Sequence, residues 1–275
     1  MSLITWGSNP WGMEVPVHIA WWLMWLALFA GLAFMVFHAV WVRFRAKSDT
    51  SLEAVPAEAA SSIPENVPRH SLPARIFHWA MAAAVLTLLF SAFLPKAGVH
   101  FAWVDIHWIA GMVLILSIVF HIIHSVFFMD FWAIWPGKAD LENAWHGLLR
   151  IFDNAAPVPG KPGKYPLGNK LYHLAAAACG LCAAVTGVLL MSRVHTPFFT
   201  RNPYLFDDMS WGIVYLFHGF AGVALIALVV VHVYFALRPE KLPVTTAMVS
   251  GTMSRRYYLE HHDPRQWVCG GQASR

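Results

Sequence analysis

The sequence is poor in charge. Of its 275 residues only 12% are Asp, Glu, Lys or Arg, against 58% hydrophobic, a balance that excludes a soluble globular chain of ordinary composition. Cysteine is scarce as well, with three residues. Cys179 and Cys182 fall inside one apolar run as CGLC, which reads as small-residue packing rather than a dithiol or metal site, and Cys269 stands by itself in the C-terminal segment. No Lys or Arg precedes Arg43, so the first apolar run lacks the basic n-region of a signal peptide. The formal charge of +4 is small and unevenly spread, which argues against a nucleic-acid partner.

What the chain has instead is long apolar runs. Five are long enough to cross a bilayer, at about 17–42, 74–94, 103–128, 171–192 and 211–237. With the N-terminus outside, sixteen of the nineteen Lys and Arg residues fall in cytoplasmic segments (43–75, 138–170 and 238–275), leaving Lys96, Arg193 and Arg201 outside. The expectation is therefore a multi-pass protein of a bacterial inner membrane, N-terminus periplasmic and C-terminus cytoplasmic. The stretch from Ser48 to Pro68 is rich in Ser, Ala, Glu and Pro and reads as a linker between an accessory first helix and a four-helix core.

Histidines carry the chemistry. His218 and His232 lie fourteen positions apart in the fifth run, which on a helix places both near one face and about 21 Å apart along the axis. An imidazole in hydrocarbon is costly unless its nitrogens are satisfied, and ligation to haem iron is one way to do so; interfacial placement is the bland alternative. By depth, His78 is level with His232 toward the cytoplasmic side, and His107 is roughly level with His218 toward the external side. These pairs would make two six-coordinate b-type haems. A rival pairing also fits the spacing, because His107 and His121 are again fourteen apart: His107 with His218 and His121 with His232, as in cytochromes of the bc type. Either arrangement leaves a haem-free transporter or assembly protein to explain why histidines, and not buried carboxylates, occupy matched depths. A diiron enzyme would need clusters of histidines and carboxylates. His18 and His38 are expected near opposite ends of the first helix.

Several fragments carry a resemblance: R-x-x-H-W at Arg75 to Trp79, DIHWIAG at Asp105 to Gly111, G-K-Y-x-x-G-x-K at Gly163 to Lys170, TGVLL at Thr186 to Leu190, the His218/His232 pair, and GTMSRRYYLEHHDPRQW from Gly251 to Trp267. Together they resemble the gamma (cytochrome b) subunit of membrane-bound formate dehydrogenases, and the related dihaem cytochromes of nickel–iron hydrogenases and thiosulfate reductases. The resemblance implies an all-α integral membrane protein, a four-helix dihaem cytochrome b bundle, here with one extra N-terminal transmembrane helix. It implies His78 and His232 as ligands of the cytoplasmic-side haem and His107 and His218 as ligands of the external-side haem, with His121 and His124 surplus. It also implies a quinone pocket near Tyr165, Gly168, Asn169 and Lys170. Relatives of this type carry Asn where this chain has Pro166, and Gln where it has Asn169; Asn169 keeps an amide that can bond a quinone carbonyl, whereas Pro166 has no donor. The bland alternative for Asn169 is a helix cap.

The extra helix has three accounts: it packs against a partner's anchor, it closes the quinone pocket, or His38 joins His124 or His173 to hold a third haem or relay protons. The domain plan expected is an N-terminal transmembrane helix at 1–47, a cytoplasmic linker at 48–72, the dihaem core at 73–244 and a cytoplasmic tail at 245–275. In this reading the chain is an electron-transfer subunit, not the place where the primary substrate is oxidised. Electrons arrive from an iron–sulphur beta subunit and a molybdenum or tungsten catalytic alpha subunit outside, and leave on menaquinone or ubiquinone. A hydrogenase or a thiosulfate- or polysulfide-type molybdoenzyme is the alternative complex. Residues 138–152, with an apolar stripe of Leu141, Trp145, Leu148, Leu149 and Phe152, are expected to form a helix on the membrane surface.

Overall fold

The computed structural model describes residues 2–45, 63–153, 155–198 and 200–269. Most of the expected linker, residues 46–62, lies outside them. Among the described residues five helices are long and apolar enough to span a membrane: α1 (Trp22–Arg45), α2 (Leu72–Phe93, continued by a 3-10 turn to Ala97), α3 (Trp103–Phe128), α5 (Leu167–Met191) and α6 (Asp208–Leu237). Their mean hydropathies run from 1.9 to 2.5, and the chain is an all-α bundle protein of the four-plus-one kind. Helices are the form such runs take because each satisfies its own backbone hydrogen bonds where no water can. A helix is present where one was expected in the third loop, α4 (Lys138–Phe152).

The chain sorts into two compact units. The first comprises residues 1–43, 78–119 and 176–234. It opens with a β-hairpin that the sequence did not announce, β1 (Ile4–Ser8) against β2 (Glu14–Ile19). Its turn is organised by Asn9, whose Oδ1 accepts from the amides of Trp11 (3.1 Å) and Met13 (2.9 Å), with Gly12 at φ 79°. Asn9 Nδ2 also donates to Asp208 Oδ2 at 3.1 Å, tying the turn to the start of α6. His18 therefore sits on a strand and not on the first helix, which starts five residues later than the apolar run. Pro16 and Pro10 make the hairpin region a poor helix start.

Glycines set how closely this unit packs. A Cβ at Gly212 on α6 would collide with the carbonyl oxygen of Pro16, and one at Gly219 would lie 3.0 Å from Ile19, a side chain only 1% exposed. Gly31 brings α1 onto α6 in the same way, against Val230 at 3.0 Å. Trp211, 2% exposed, donates from Nε1 to the Pro203 carbonyl (2.9 Å), while the Arg193 guanidinium lies over its ring at 5.1 Å.

The second unit comprises residues 44–77, 120–175 and 235–275. Here α7 (Leu242–Ser250) ends at Gly251, φ 90°, and is followed by β4 (Thr252–Ser254), which pairs antiparallel with β3 (Asn66–Pro68), and by α8 (Arg255–His261). Ser254 caps α8 by accepting from the Tyr257 amide at 3.3 Å. Val67, Ala247, Met253, Tyr257 and Tyr258 form the buried core of this cap. The segment that follows α8 is latched to the approach to α5: Asp263 N donates to the Pro162 carbonyl (2.9 Å) and Lys161 Nζ to the Leu259 carbonyl (2.8 Å). His262, 3% exposed, has Nδ1 at 2.7 Å from the Gly163 carbonyl, so Nδ1 carries the proton and donates. Burial first, then the neighbouring Arg69 and Lys241 cations, push its pKa down to about 4, against the Gly163 hydrogen bond, which raises it. Arg69, 4% exposed, donates to the Lys164 carbonyl (3.1 Å), and Lys164 is itself lowered to about 8 by burial and by Arg69.

Candidate functional site

Within the first unit four imidazoles form two facing pairs. His78 on α2 and His232 on α6 have ring centroids 6.2 Å apart with their planes at 49°. His107 on α3 and His218 on α6 have centroids 6.1 Å apart with planes at 70°. A metal–imidazole bond is about 2 Å, so one metal atom bonded to both rings from opposite sides sets the centroids about 6 Å apart. Both pairs have that spacing. The residues present thus fit a bis-imidazole haem iron at each pair.

The protonation pattern fits as well. Ser91 Oγ lies 2.9 Å from His107 Nδ1 and within donating reach of the Thr87 carbonyl (2.7 Å). With its hydrogen on that carbonyl the hydroxyl accepts from Nδ1–H, the tautomer that leaves Nε2 of His107 with a free lone pair. Thr186 repeats the device on His218: Oγ1 donates to the Cys182 carbonyl at 2.6 Å and sits 2.9 Å from His218 Nδ1. Hydrogen bonds of this kind fix the tautomer and orientation of a ligating histidine. Both hydroxyls are nearly buried, Ser91 at 1% and Thr186 at 9% exposure. Gly187, next to Thr186, lies against the ring: a Cβ there would sit 3.4 Å from His218 Cε1, an ordinary contact.

Ser91 and Thr186 escape a reading of the sequence for ligands. Thr186 belongs to the TGVLL fragment, whose polar residue was a usable signal; Ser91 offers none beyond being a lone hydroxyl in an apolar helix.

The other histidines are placed as follows. His38 has its Nδ1 at 3.0 Å from the Tyr234 hydroxyl and stacks on Phe34. In the second unit, His124 stacks between Phe120 and Phe128 of its own helix (5.5 and 5.8 Å). His173 faces His121 with ring centroids 5.9 Å apart.

The expected quinone residues also lie in the second unit. Gly168, Asn169 and Lys170 occupy the first turn of α5, and Tyr165 precedes it. Because α5 starts at Leu167, its cap position is Pro166, so Asn169 is not a cap. The Arg69 guanidinium stands 5.8 Å from the Tyr165 ring and Lys164 Nζ 5.5 Å from it. Burial raises the pKa of the Tyr165 phenol, Arg69 lowers it, and Asp130 adds to the rise. Lys170 is engaged by α4: its Nζ donates to Asp140 Oδ2 at 2.7 Å and to the Trp135 carbonyl at 3.2 Å.

Comparison with known proteins agrees with this architecture. The family described as Prokaryotic cytochrome b561 matches residues 69–251. The formate dehydrogenase, cytochrome b556(fdo) subunit of Escherichia coli strain K12 is 25% identical over 209 residues, covering 72% of this chain and 90% of that protein. The subunits of the same name from E. coli O6:H1 and O157:H7 give the same figures. The chain belongs to the prokaryotic cytochrome b561 family, whose members include the cytochrome b subunits related to formate dehydrogenases and nickel–iron hydrogenases. It is a multi-pass membrane electron-transfer protein of the b type, and α1 precedes the matched region.

Proposed function

We propose that this chain is the cytochrome b subunit of a formate dehydrogenase complex, carrying electrons from an external iron–sulphur subunit to a quinone near the cytoplasmic face. One observation carries the reading: two facing imidazole pairs, at 6.2 and 6.1 Å, each with the spacing of a single shared metal atom. The relatives' name and the C-terminal fragment, Gly251 to Trp267, support the choice of complex.

Haem iron held between two imidazoles supplies a reversible one-electron change and offers no open position to a substrate. His78 and His232 would hold one such group toward the cytoplasmic side, and His107 and His218 would hold the other toward the outside. Ser91 and Thr186 would keep Nε2 of His107 and His218 available to the metal. The fourteen-residue interval between His218 and His232 sets the step between the two centres at about 21 Å along α6. At the approach to α5, the Asn169 amide donates to a quinone carbonyl beside Gly168, Tyr165 and Lys170. Each quinone takes two electrons through the chain and two protons from the cytoplasm.

The orientation follows the Lys and Arg distribution, with the N-terminus periplasmic. The domain plan is residues 1–47 as the accessory helix, 48–72 as linker, 73–244 as core and 245–275 as the cytoplasmic segment. The connections at 95–103 and 193–210 are too short to house a catalytic centre. Electrons therefore come from a beta subunit with iron–sulphur clusters and an alpha subunit with molybdenum or tungsten, docked on the periplasmic side.

The test is haem content by pyridine haemochrome on the complex purified in mild detergent. His78→Ala is expected to lose one b haem per chain and to stop electron delivery to quinone, because a methyl group cannot replace an axial imidazole. Unchanged haem content in His78→Ala, or a wild-type preparation without haem, overturns the reading.

A further inference from the structure

The second unit contains a third imidazole pair. His121 on α3 and His173 on α5 face each other with ring centroids 5.9 Å apart and planes at 60°, within a few tenths of an ångström of the two pairs already assigned. We propose that His121 and His173 are the axial ligands of a third b haem; the proposal rests on the reading that such pairs in this chain hold haem iron.

Three features support it. The first is spacing: a tetrahedral ion would draw two ligating rings to about 5 Å, whereas ligands on opposite sides of a metal stand about 6 Å apart, as a porphyrin requires. The second is that the His121 ring is held. Phe77 stacks flat on His121, at 4.3 Å and 6°, fixing its plane. Ser125 Oγ lies 3.3 Å from His121 Nδ1 and 3.4 Å from its Nε2, a contact that holds the ring in place without selecting one nitrogen. The third is an unmet need. His173 Nδ1 is buried and has no hydrogen-bond partner among the described residues, which marks a histidine held in place for a group the polypeptide does not supply.

The sequence had offered His38 as the partner of His124 or His173. The structure instead turns His173 toward His121, while His38 meets Tyr234 and His124 packs between two phenylalanines of its own helix. His121 also ceases to be surplus: it follows His107 on α3 by the same fourteen residues that separate His218 from His232 on α6.

The placement assigns a role. His173 lies one turn past Asn169 on the same face of α5, and Phe77, which covers His121, is the residue before His78 in the chain. The third group would stand beside the proposed quinone residues, and His121 and His173 would hold it against the first turn of α5.

The experiment is haem counting and low-temperature EPR on the intact complex. Three haems per polypeptide are expected, with three low-spin bis-imidazole signals. His173→Ala and His121→Ala should each lose about one third of the haem absorbance and one EPR signal, while His124→Ala retains all three. The two surviving signals report that the variant is folded; should both variants lose all haem, the wild-type count decides by itself. Two haems in the wild type, whether His121 and His173 then bind nothing, relay protons or hold a zinc or copper ion detectable by elemental analysis, overturn the third site while leaving the two-haem reading standing. No haem at all sinks both.

Discussion

The hydroxyl of Thr186 stands 2.9 Å from His218 Nδ1 and 2.6 Å from the Cys182 carbonyl. Donating to that carbonyl, one side chain on α5 selects the Nδ1–H tautomer of an imidazole on α6 and leaves its Nε2 free to meet a metal. Ser91 does the same for His107 from α2.

Thr186→Val keeps the shape of the side chain and removes the acceptor. The expected result is retention of the haem at His107/His218 with an altered midpoint potential, because the ligand's Nδ1–H loses its partner and the imidazole becomes less basic. Ser91→Ala should act in the same direction. Redox titration of the α-band checks this, and a potential unmoved in both variants would show that these hydroxyls serve packing alone.

Gly212→Ala tests the N-terminal hairpin. The added methyl would fall on the Pro16 backbone carbonyl, which is not a flexible side-chain tip and has little room to give. Overpacking of this kind costs about 1–3 kcal/mol, and release of the hairpin from α6 is the cheapest relief. Hydrogen exchange across residues 4–19 is expected to rise in Gly212→Ala with haem content unchanged; equal protection in both proteins would contradict it.

His262 makes the cap built on β3, β4 and α8 sensitive to acid. Its folded pKa is pushed down to about 4, below the ordinary 6.5, chiefly by burial. A folded state that resists protonation gains its full contribution above pH 6.5 and loses it as pH falls toward 4. Amide protection over residues 251–267, corrected for intrinsic exchange, should decline through that window. His262→Gln, which retains a donor for the Gly163 carbonyl but does not titrate, should make the profile flat.

Most of the membrane architecture is legible in the residues. The five apolar runs become the five long helices, and α4 is helical where its amphipathic stripe predicts a helix, because hydropathy and period dictate these forms. The hairpin at 4–19 was missed because its strands are short and Pro- and Trp-containing; a glycine on a distant helix, Gly212, gives it a place to dock. The pairing of β3 with β4 joins residues 66–68 to 252–254, a separation no local pattern reveals.

The histidines divide along the same line. Sequence by itself determined that the imidazoles of α3 and α6 recur at fourteen-residue intervals, since 3.6 residues per turn returns a side chain to nearly the same face. It left open which ring meets which, because spacing along one helix carries no information about the helix opposite. Only the tertiary structure turned His78 to His232, His107 to His218 and His121 to His173, and supplied the hydroxyls at two of those pairs that leave one nitrogen of an imidazole free. The packing of α2 and α3 on α6, and of α3 on α5, made that choice, because a ring can meet only what the neighbouring helix presents at its own level.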